Sequence, residues 1–252
     1  MPGQEHFWSR AAAEYEAEFI DPYRPDVESP LLDRLRQLAG RELTAGDLGC
    51  GIGPLLPFLA EQFGTVHAVD FAAGMLERAR ERCRGLTNLT LHQRPLTDLA
   101  PLAGTLDVAV AVNSLGIKEI GDLEKALSQI RAALRPGGVL LAILPAMDAV
   151  HYQTMLLLDR ARARGLPLEQ AKQNAAHHGE HKLYDFAFGE FYYKGLEQHF
   201  WQPFEIPYRL GRAGLRVVRT EMVLLSWQQF ACGAELRDHP PPWDWFVEAV
   251  VA

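Results

Sequence analysis

The residues best equipped for chemistry lie between Gly46 and Gly53, which read Gly-Asp-Leu-Gly-Cys-Gly-Ile-Gly. Gly49, Gly51 and Gly53 alternate there, and a residue without a Cβ lets a turn tighten and lets backbone approach a ligand closely. A short strand candidate, Leu43-Thr44-Ala45, comes before the loop, and an apolar run through Leu55, Leu56, Phe58 and Leu59 follows it. A second strand, Val66 to Asp70, ends in a carboxylate roughly twenty residues beyond Gly49. That is the spacing at which βαβ nucleotide-binding units place an acid on a ribose diol.

The loop discriminates between cofactors. A dinucleotide fingerprint wants a third glycine at position 54, beside a pyrophosphate, and this chain has Pro54 there. Asp47 precedes the loop; an acid at its mouth repels a phosphate and suits a cation. The pattern Asp-x-Gly-x-Gly-x-Gly resembles the first motif of class I S-adenosylmethionine-dependent methyltransferases. Leu-Arg-Pro-Gly-Gly at Leu134 to Gly138 is a second feature common in that family. The resemblance implies S-adenosylmethionine as cofactor, with Asp47, Gly49, Cys50, Gly51, Gly53 and Asp70 around it. It also implies that Phe71 and Met75 border the adenine, and that Tyr15, on an N-terminal helix, lies near the methionine end. Met75 with Ala79 and Cys83 is equally a plain core stripe. The family usually carries an acid just after the third strand, whereas this chain has Pro95. Either Asp98 reaches back to the adenine, or the backbone at Leu96 holds it.

Ligands in open α/β sheets sit beyond the carboxyl ends of strands. The apolar run Leu106 to Val112 suits a central parallel strand and ends in Asn113-Ser114-Leu115-Gly116. Asn113 and Ser114 are therefore expected to face the sulfonium and the transferring methyl, unless they form only a strand-ending turn. Asn-Pro-Pro-Tyr, the mark of enzymes that methylate planar amino groups, is absent.

The elements that position these residues follow from periodicity. Trp8, Ala12, Tyr15 and Phe19 share one face of a helix, and Ser29-Pro30 opens another with Leu31, Leu35 and Leu38 as its stripe. A helix runs from near Gly53-Pro54 to Phe63-Gly64, with Pro57 tolerable only in its first turn. Leu89 and Leu91 mark a third strand, Leu123 to Leu134 a helix, and Val139 to Leu144 a fifth strand. Alternating strands and helices predict a parallel sheet. Val217 to Leu225 and Trp243 to Val251 complete a Rossmann-like, doubly wound, seven-stranded α/β fold with an antiparallel C-terminal hairpin. We divide the chain into N-terminal helices at 1–42, a cofactor-binding core at 43–147, a cap insert at 148–203 and the end of the core at 204–252.

The insert is less legible. Asp148 is placed to cap a helix running to Arg164, and a further helix is expected from Leu168 to about His178. The aromatic residues from Tyr184 to Phe204 either make the cap's own core or line an apolar pocket. Tyr152, Tyr184, Tyr192 and Trp201 carry polar handles and are the substrate-binding candidates. His177 and His181, four apart, would share a helical face beside His178; no third ligand is obvious, and no metal is expected. His151, just after the fifth strand, is the best-placed candidate base.

Composition narrows the class. The chain has 252 residues, 48% hydrophobic and 23% charged, ordinary for a globular protein. A net charge of −7 argues against a nucleic-acid partner. No apolar run is long enough to span a membrane, the N-terminus lacks signal-peptide character, and Cys50, Cys83 and Cys232 have no ligand spacing. A cytoplasmic methyltransferase acting on an O, N or C atom of a small, apolar or aromatic molecule is the leading reading. The alternative is a non-catalytic S-adenosylmethionine- or S-adenosylhomocysteine-binding protein, and Pro95 and the unclear base favour it.

Overall fold

The computed structural model describes residues 2–12, 21–178, 181–193 and 196–252. The core elements are α1 (Pro2–Ala11), α2 (Leu31–Gln37), β1 (Gly40–Leu48), α3 (Leu56–Gln62), β2 (Phe63–Asp70), α4 (Ala73–Arg82), β3 (Leu89–Gln93), β4 (Leu106–Val112), α5 (Ile120–Ala133) and β5 (Leu134–Pro145). The insert contributes α6 (Met147–Ala163), α7 (Leu168–Ala176), β6 (His177–His178), β7 (His181–Lys182), β8 (Tyr184–Asp185), β9 (Glu190–Tyr193) and β10 (Leu196–His199). The chain closes with α8 (Glu205–Arg212), β11 (Leu215–Leu224), α9 (Gly233–Leu236) and β12 (Trp243–Val251).

One seven-stranded sheet has the order β11-β12-β5-β4-β1-β2-β3. The pairs from β5 to β3 are parallel, and β12 runs antiparallel to both β5 and β11. This is the expected seven-stranded sheet with its antiparallel edge hairpin. The strand order reverses direction between β1 and β4, which opens a crevice at their carboxyl ends. Both faces of the sheet are covered. Leu123, Leu127 and Ile130 of α5 and Ile206 and Leu210 of α8 pack on one side. Leu31, Leu35, Leu56, Leu59, Phe63 and Leu76 of α2, α3, β2 and α4 pack on the other. Each such side chain, fully buried, is worth about 1.5–3 kcal/mol. Pro57 sits at the start of α3, where its missing N–H has no helical partner to lose. No described helix is long and apolar enough to cross a membrane.

Several local expectations are corrected. α3 stops at Gln62, and Phe63 and Gly64 already belong to β2. β5 begins at Leu134: Arg135 to Gly138 form an irregularity between the Leu106–Leu134 and Val108–Val139 pairs. Asp148 does not cap α6, whose N-cap position is Ala146. Its carboxylate instead accepts the indole N–H groups of Trp243 at 3.2 Å and Trp245 at 3.0 Å. The helix expected to carry His177 and His181 ends at Ala176. His177 pairs with Lys182, and His178 with His181, in a two-stranded ribbon. Alternation along a strand then puts His177 and His181 on opposite faces. No group of three or more possible metal ligands occurs among the described residues.

Candidate functional site

A cavity of about 390 Å³ lies at the carboxyl edge, where β1, β2 and β4 end. That volume falls within the usual range for small-ligand sites. Gly49, Gly51, Asp70, Phe71, Met75, Leu96, Asn113 and Ser114 line it. Four different strand ends and the α4 N-terminus thus meet there, because a parallel sheet brings every carboxyl end to the same edge.

The glycine loop forms the floor. Gly49 and Gly51 have φ of 85° and 54°, a region that costs a residue with a side chain about 1–2 kcal/mol. A Cβ on Gly49 would come within 2.2 Å of the Ser114 Cβ, so the loop is pressed against the segment after β4. A Cβ on Gly51 would meet nothing within 4 Å: here the bare backbone faces open cavity. Gly53 packs toward α4, where an added Cβ would sit 3.1 Å from the Ala79 Cβ, and it does not line the cavity. The loop is stitched to β2 by the Gly49 and Cys50 N–H groups, which donate to the Val69 carbonyl at 2.7 and 2.9 Å.

Asp70 completes this join. Its Oδ2 accepts the Gly51 N–H at 2.9 Å and its Oδ1 the Ala72 N–H at 2.8 Å. Burial pushes its carboxyl up, while these backbone N–H groups pull it down. Asp47 lies behind the loop, not at its mouth: it is 3% exposed and does not line the cavity. Burial, with repulsion from Asp70, pushes its carboxyl up to about 7. Cys50 is also buried behind the loop, its Sγ facing its neighbour's carbonyl, Gly51 O, at 3.7 Å.

On the third side, Pro95, Leu96 and Thr97 line the cavity beside Phe71 and Met75. Asp98 does not reach back; it accepts a hydrogen bond from Arg94 at 2.7 Å. Ser114 Oγ donates to the Leu48 carbonyl at 2.6 Å, which fixes the start of the loop after β4. Tyr15 lies outside the described residues; from α1, Trp8 reaches the cavity, and α1 is held on α4 by a hydrogen bond from Gly74 N to Ser9 Oγ at 3.3 Å.

The insert supplies different residues from those its aromatic content suggested. Leu196 and Gln198 of β10 line the cavity, together with Gly116, Ile117 and Asp122. Tyr152, Tyr184, Tyr192 and Trp201 do not. Trp201 is fully buried and donates its indole N–H to the Leu115 carbonyl at 3.0 Å; it belongs to the hydrophobic core on one face of the main sheet. Tyr152 donates to the Pro240 carbonyl at 3.1 Å, and Tyr192 is bonded to Glu197. Tyr184 pairs with Phe191 across β8 and β9. His151 is exposed on α6, its ring 4.5 Å from that of Phe186, and is also absent from the cavity lining. Of the residues missed, Asp122 lies in the first turn of α5, a common place for a helix acid, and Leu196 and Gln198 carry no sequence signal at all.

Comparison with known proteins places this geometry. Residues 46–138 match the model of a methyltransferase domain. A malonyl-[acyl-carrier protein] O-methyltransferase of Serratia marcescens is 34% identical over 136 residues, covering 53% of this chain and 49% of its own length. A trans-aconitate 2-methyltransferase of Deinococcus radiodurans is 34% identical over 102 residues, 40% of this chain and 37% of its own. The chain thus spans about half, or less, of the length of these curated relatives. The solved structure of the Burkholderia thailandensis 1,6-didemethyltoxoflavin-N1-methyltransferase, with its substrate and S-adenosylhomocysteine, superposes with a TM-score of 0.65 at 14% identity. It covers 99% of this chain and 87% of that one, and shows a shared fold.

Proposed function

Proceeding from a chain whose residues 46–138 form a methyltransferase domain of the class I, S-adenosylmethionine-dependent type, we propose that it methylates a small molecule, on an oxygen of an acid in the reading we favour. One observation carries the cofactor assignment. Gly51 opens bare backbone onto the cavity while its N–H ties the loop to Asp70. A side chain at Gly51 would fill the space a ligand needs, so the residues present fit a nucleoside that lies across the loop.

Each residue has a role in this reading. Gly49 and Gly51 let the methionine end approach the backbone. Asp70, with lone pairs left over from Gly51 and Ala72, accepts from the ribose hydroxyls. Phe71, Met75, Pro95 and Leu96 enclose the adenine, and Asn113 and Ser114 stand at the transfer end. Asp47 and Cys50 act from behind the loop, Asp47 through its field and Cys50 through packing. Gly53 sets the distance to α4. When bound, S-adenosylmethionine supplies an electrophilic methyl on a positively charged sulfur. The chain's task is then to hold a nucleophile in line and to keep water out. Positioning of this kind can supply about 7–11 kcal/mol of the barrier.

The acceptor end is bounded by Gly116, Ile117, Leu196, Gln198 and Asp122. No histidine is among the described lining residues. An acceptor already ionised at neutral pH needs no base, and the relatives named for malonyl and trans-aconitate acceptors favour a carboxylic acid, free or carrier-bound. The test is twofold. Calorimetry should detect S-adenosylhomocysteine binding to the full chain. Methyl-labelled cofactor incubated with a panel of small di- and tricarboxylic acids should then yield a labelled ester. Binding with no labelled product from the panel or from cell extract would return the protein to the non-catalytic class; no binding would refute the reading altogether.

A further inference from the structure

The carboxyl edge of the sheet holds a buried acid that the roles above leave unused. Asp244, the second residue of β12, lies opposite Pro145 of β5 and is 6% exposed. Its Oδ1 accepts the Ala146 N–H at 3.3 Å, and the side chain of Asn113 lies near enough to act on the carboxyl. Burial pushes the carboxyl up to about 7, and the Ala146 N–H and the Asn113 side chain pull the other way. The charged groups on the surrounding elements are engaged elsewhere. Asp148 of α6 holds two indoles, Glu248 of β12 pairs with Arg34 of α2, and Arg219 of β11 pairs with Glu221. Among the described residues, no cation forms an ion pair with Asp244.

Asn113 is strained in a matching way. It is the one non-glycine residue with positive φ among those described, at 52°. Its Oδ1 is buried with no hydrogen-bond partner, a condition that few native polar groups tolerate. Backbone strain of this kind gathers at functional sites when the surroundings hold it in place. Asn113 also lines the cavity, at the end of β4.

One proton removes both defects. With Asp244 charged, the Asn113 NH2 is drawn toward the carboxylate and Oδ1 is left without a donor. With Asp244 neutral, its O–H is donated to Oδ1, the uncompensated charge disappears, and the NH2 is free for the cavity. We propose that Asp244 is a positioning residue that acts through Asn113, turning the side-chain amide so that it offers an N–H donor to an oxygen of the methyl acceptor. The acceptor class that fits is one with a hydrogen-bond-accepting oxygen, such as a carboxylate, at or beside the methylated atom. This inference rests on the methyltransferase reading above, and the experiment separates the two.

The full chain has three asparagines, Asn88, Asn113 and Asn174. Asparagine-selective nitrogen-15 labelling therefore gives three side-chain NH2 signals, with Asn113 identified by its loss in Asn113→Asp. With S-adenosylhomocysteine bound, the Asn113 signals should titrate with a single midpoint in the neutral range. Millimolar acetate should move them further on the acid side of that midpoint. In Asp244→Asn the pH response should vanish and the acetate response should lose its dependence on pH, because the amide stays neutral and donates to Oδ1 throughout, while Asn88 stays unchanged. Where that variant does not fold, Asp244→Leu, with the same branching, should likewise abolish the pH response. Asn113 signals that ignore pH in the wild-type chain, or titrate identically in the variant, overturn the positioning role. Signals that titrate but ignore acetate overturn the acceptor assignment. Failure of S-adenosylhomocysteine to bind in the same samples refutes the methyltransferase reading instead.

Discussion

Gly49 and Gly51 differ by two positions and should fail for different reasons. In Gly51→Ala, the new methyl meets no protein atom within 4 Å, so its folding cost is confined to the left-handed backbone at φ 54°. That cost is about 1–2 kcal/mol, or a Tm lower by about 2–8 °C in a chain of this size. The methyl projects into the cavity, however, and overpacking a filled site costs about 1–3 kcal/mol. Affinity for S-adenosylhomocysteine should therefore fall by roughly tenfold or more. In Gly49→Ala, the methyl lands 2.2 Å from the Ser114 Cβ at φ 85°. Clash and backbone cost then add, and the loop is forced off the segment after β4. Stability should fall further than in Gly51→Ala, with binding lost alongside it. Thermal unfolding and titration calorimetry on both variants separate the two effects. Gly51→Ala binding within twofold of the wild-type chain would show that the open backbone is not the floor of the ligand site.

Asp70→Asn keeps the shape but loses the charge and, at one oxygen, the acceptor for Gly51 or Ala72. Because a hydrogen bond to a charged group is worth about 1.5–3 kcal/mol, S-adenosylhomocysteine affinity measured by calorimetry should drop by roughly ten- to a hundredfold; an unchanged affinity would place the ribose elsewhere. Asp47→Asn tests the pH dependence of stability. Asp47 titrates at about 7 in the fold against an ordinary 3.8, so between those values the native state keeps a proton that the unfolded chain releases. Stability therefore falls as pH rises through that window and levels off above about 7. At about 1.36 kcal/mol per pH unit, the penalty is on the order of 4 kcal/mol. Asp47→Asn should flatten the decline, with its Tm advantage largest near pH 8, and a constant offset at every pH would contradict the assignment. Trp201→Phe leaves the buried Leu115 carbonyl without its indole donor, which costs about 1–3 kcal/mol. Its Tm should fall by several degrees while cofactor affinity holds; the reverse pattern would restore Trp201 to the ligand pocket.

The parts of the fold legible in the sequence are those specified by local chemistry. Three alternating glycines, a strand on either side and Asp70 at the right remove locate β1, α3 and β2 because each signal acts within a few residues. Leu123, Leu127 and Ile130 declare α5 through their spacing, since a helix face repeats along the chain. The insert carries no such signal. Its strands are two to four residues long, too short for alternation to register, and Ala175-Ala176 before the histidines extends a helical pattern that the chain abandons. Asp148 has the type and place of a cap, but two indoles from a strand almost a hundred residues away compete for its oxygens and win. Three of the four aromatic candidates are turned from the cavity for a related reason. The polar tips of Trp201, Tyr152 and Tyr192 found partners inside the protein, at Leu115, Pro240 and Glu197, and such partners are invisible until the chain is folded.

The electrostatics of the cavity explain why a fold would keep two acids so close beneath one loop. Asp47 and Asp70 both resist ionisation because they are buried, and Asp70 raises the cost further for Asp47. Among the described residues, neither forms an ion pair with a cationic side chain. The hydrogen bonds from Gly51 and Ala72 relieve Asp70 in part and Asp47 not at all. A positively charged ligand laid across the loop would offset what the protein leaves uncompensated, whereas a phosphate would compound it. Pro54 bears on the same point from the other side, since it removes the glycine that a pyrophosphate site uses for close helix packing. In the function proposed above, selectivity of the cleft for a cationic nucleoside would follow from buried charge as much as from shape.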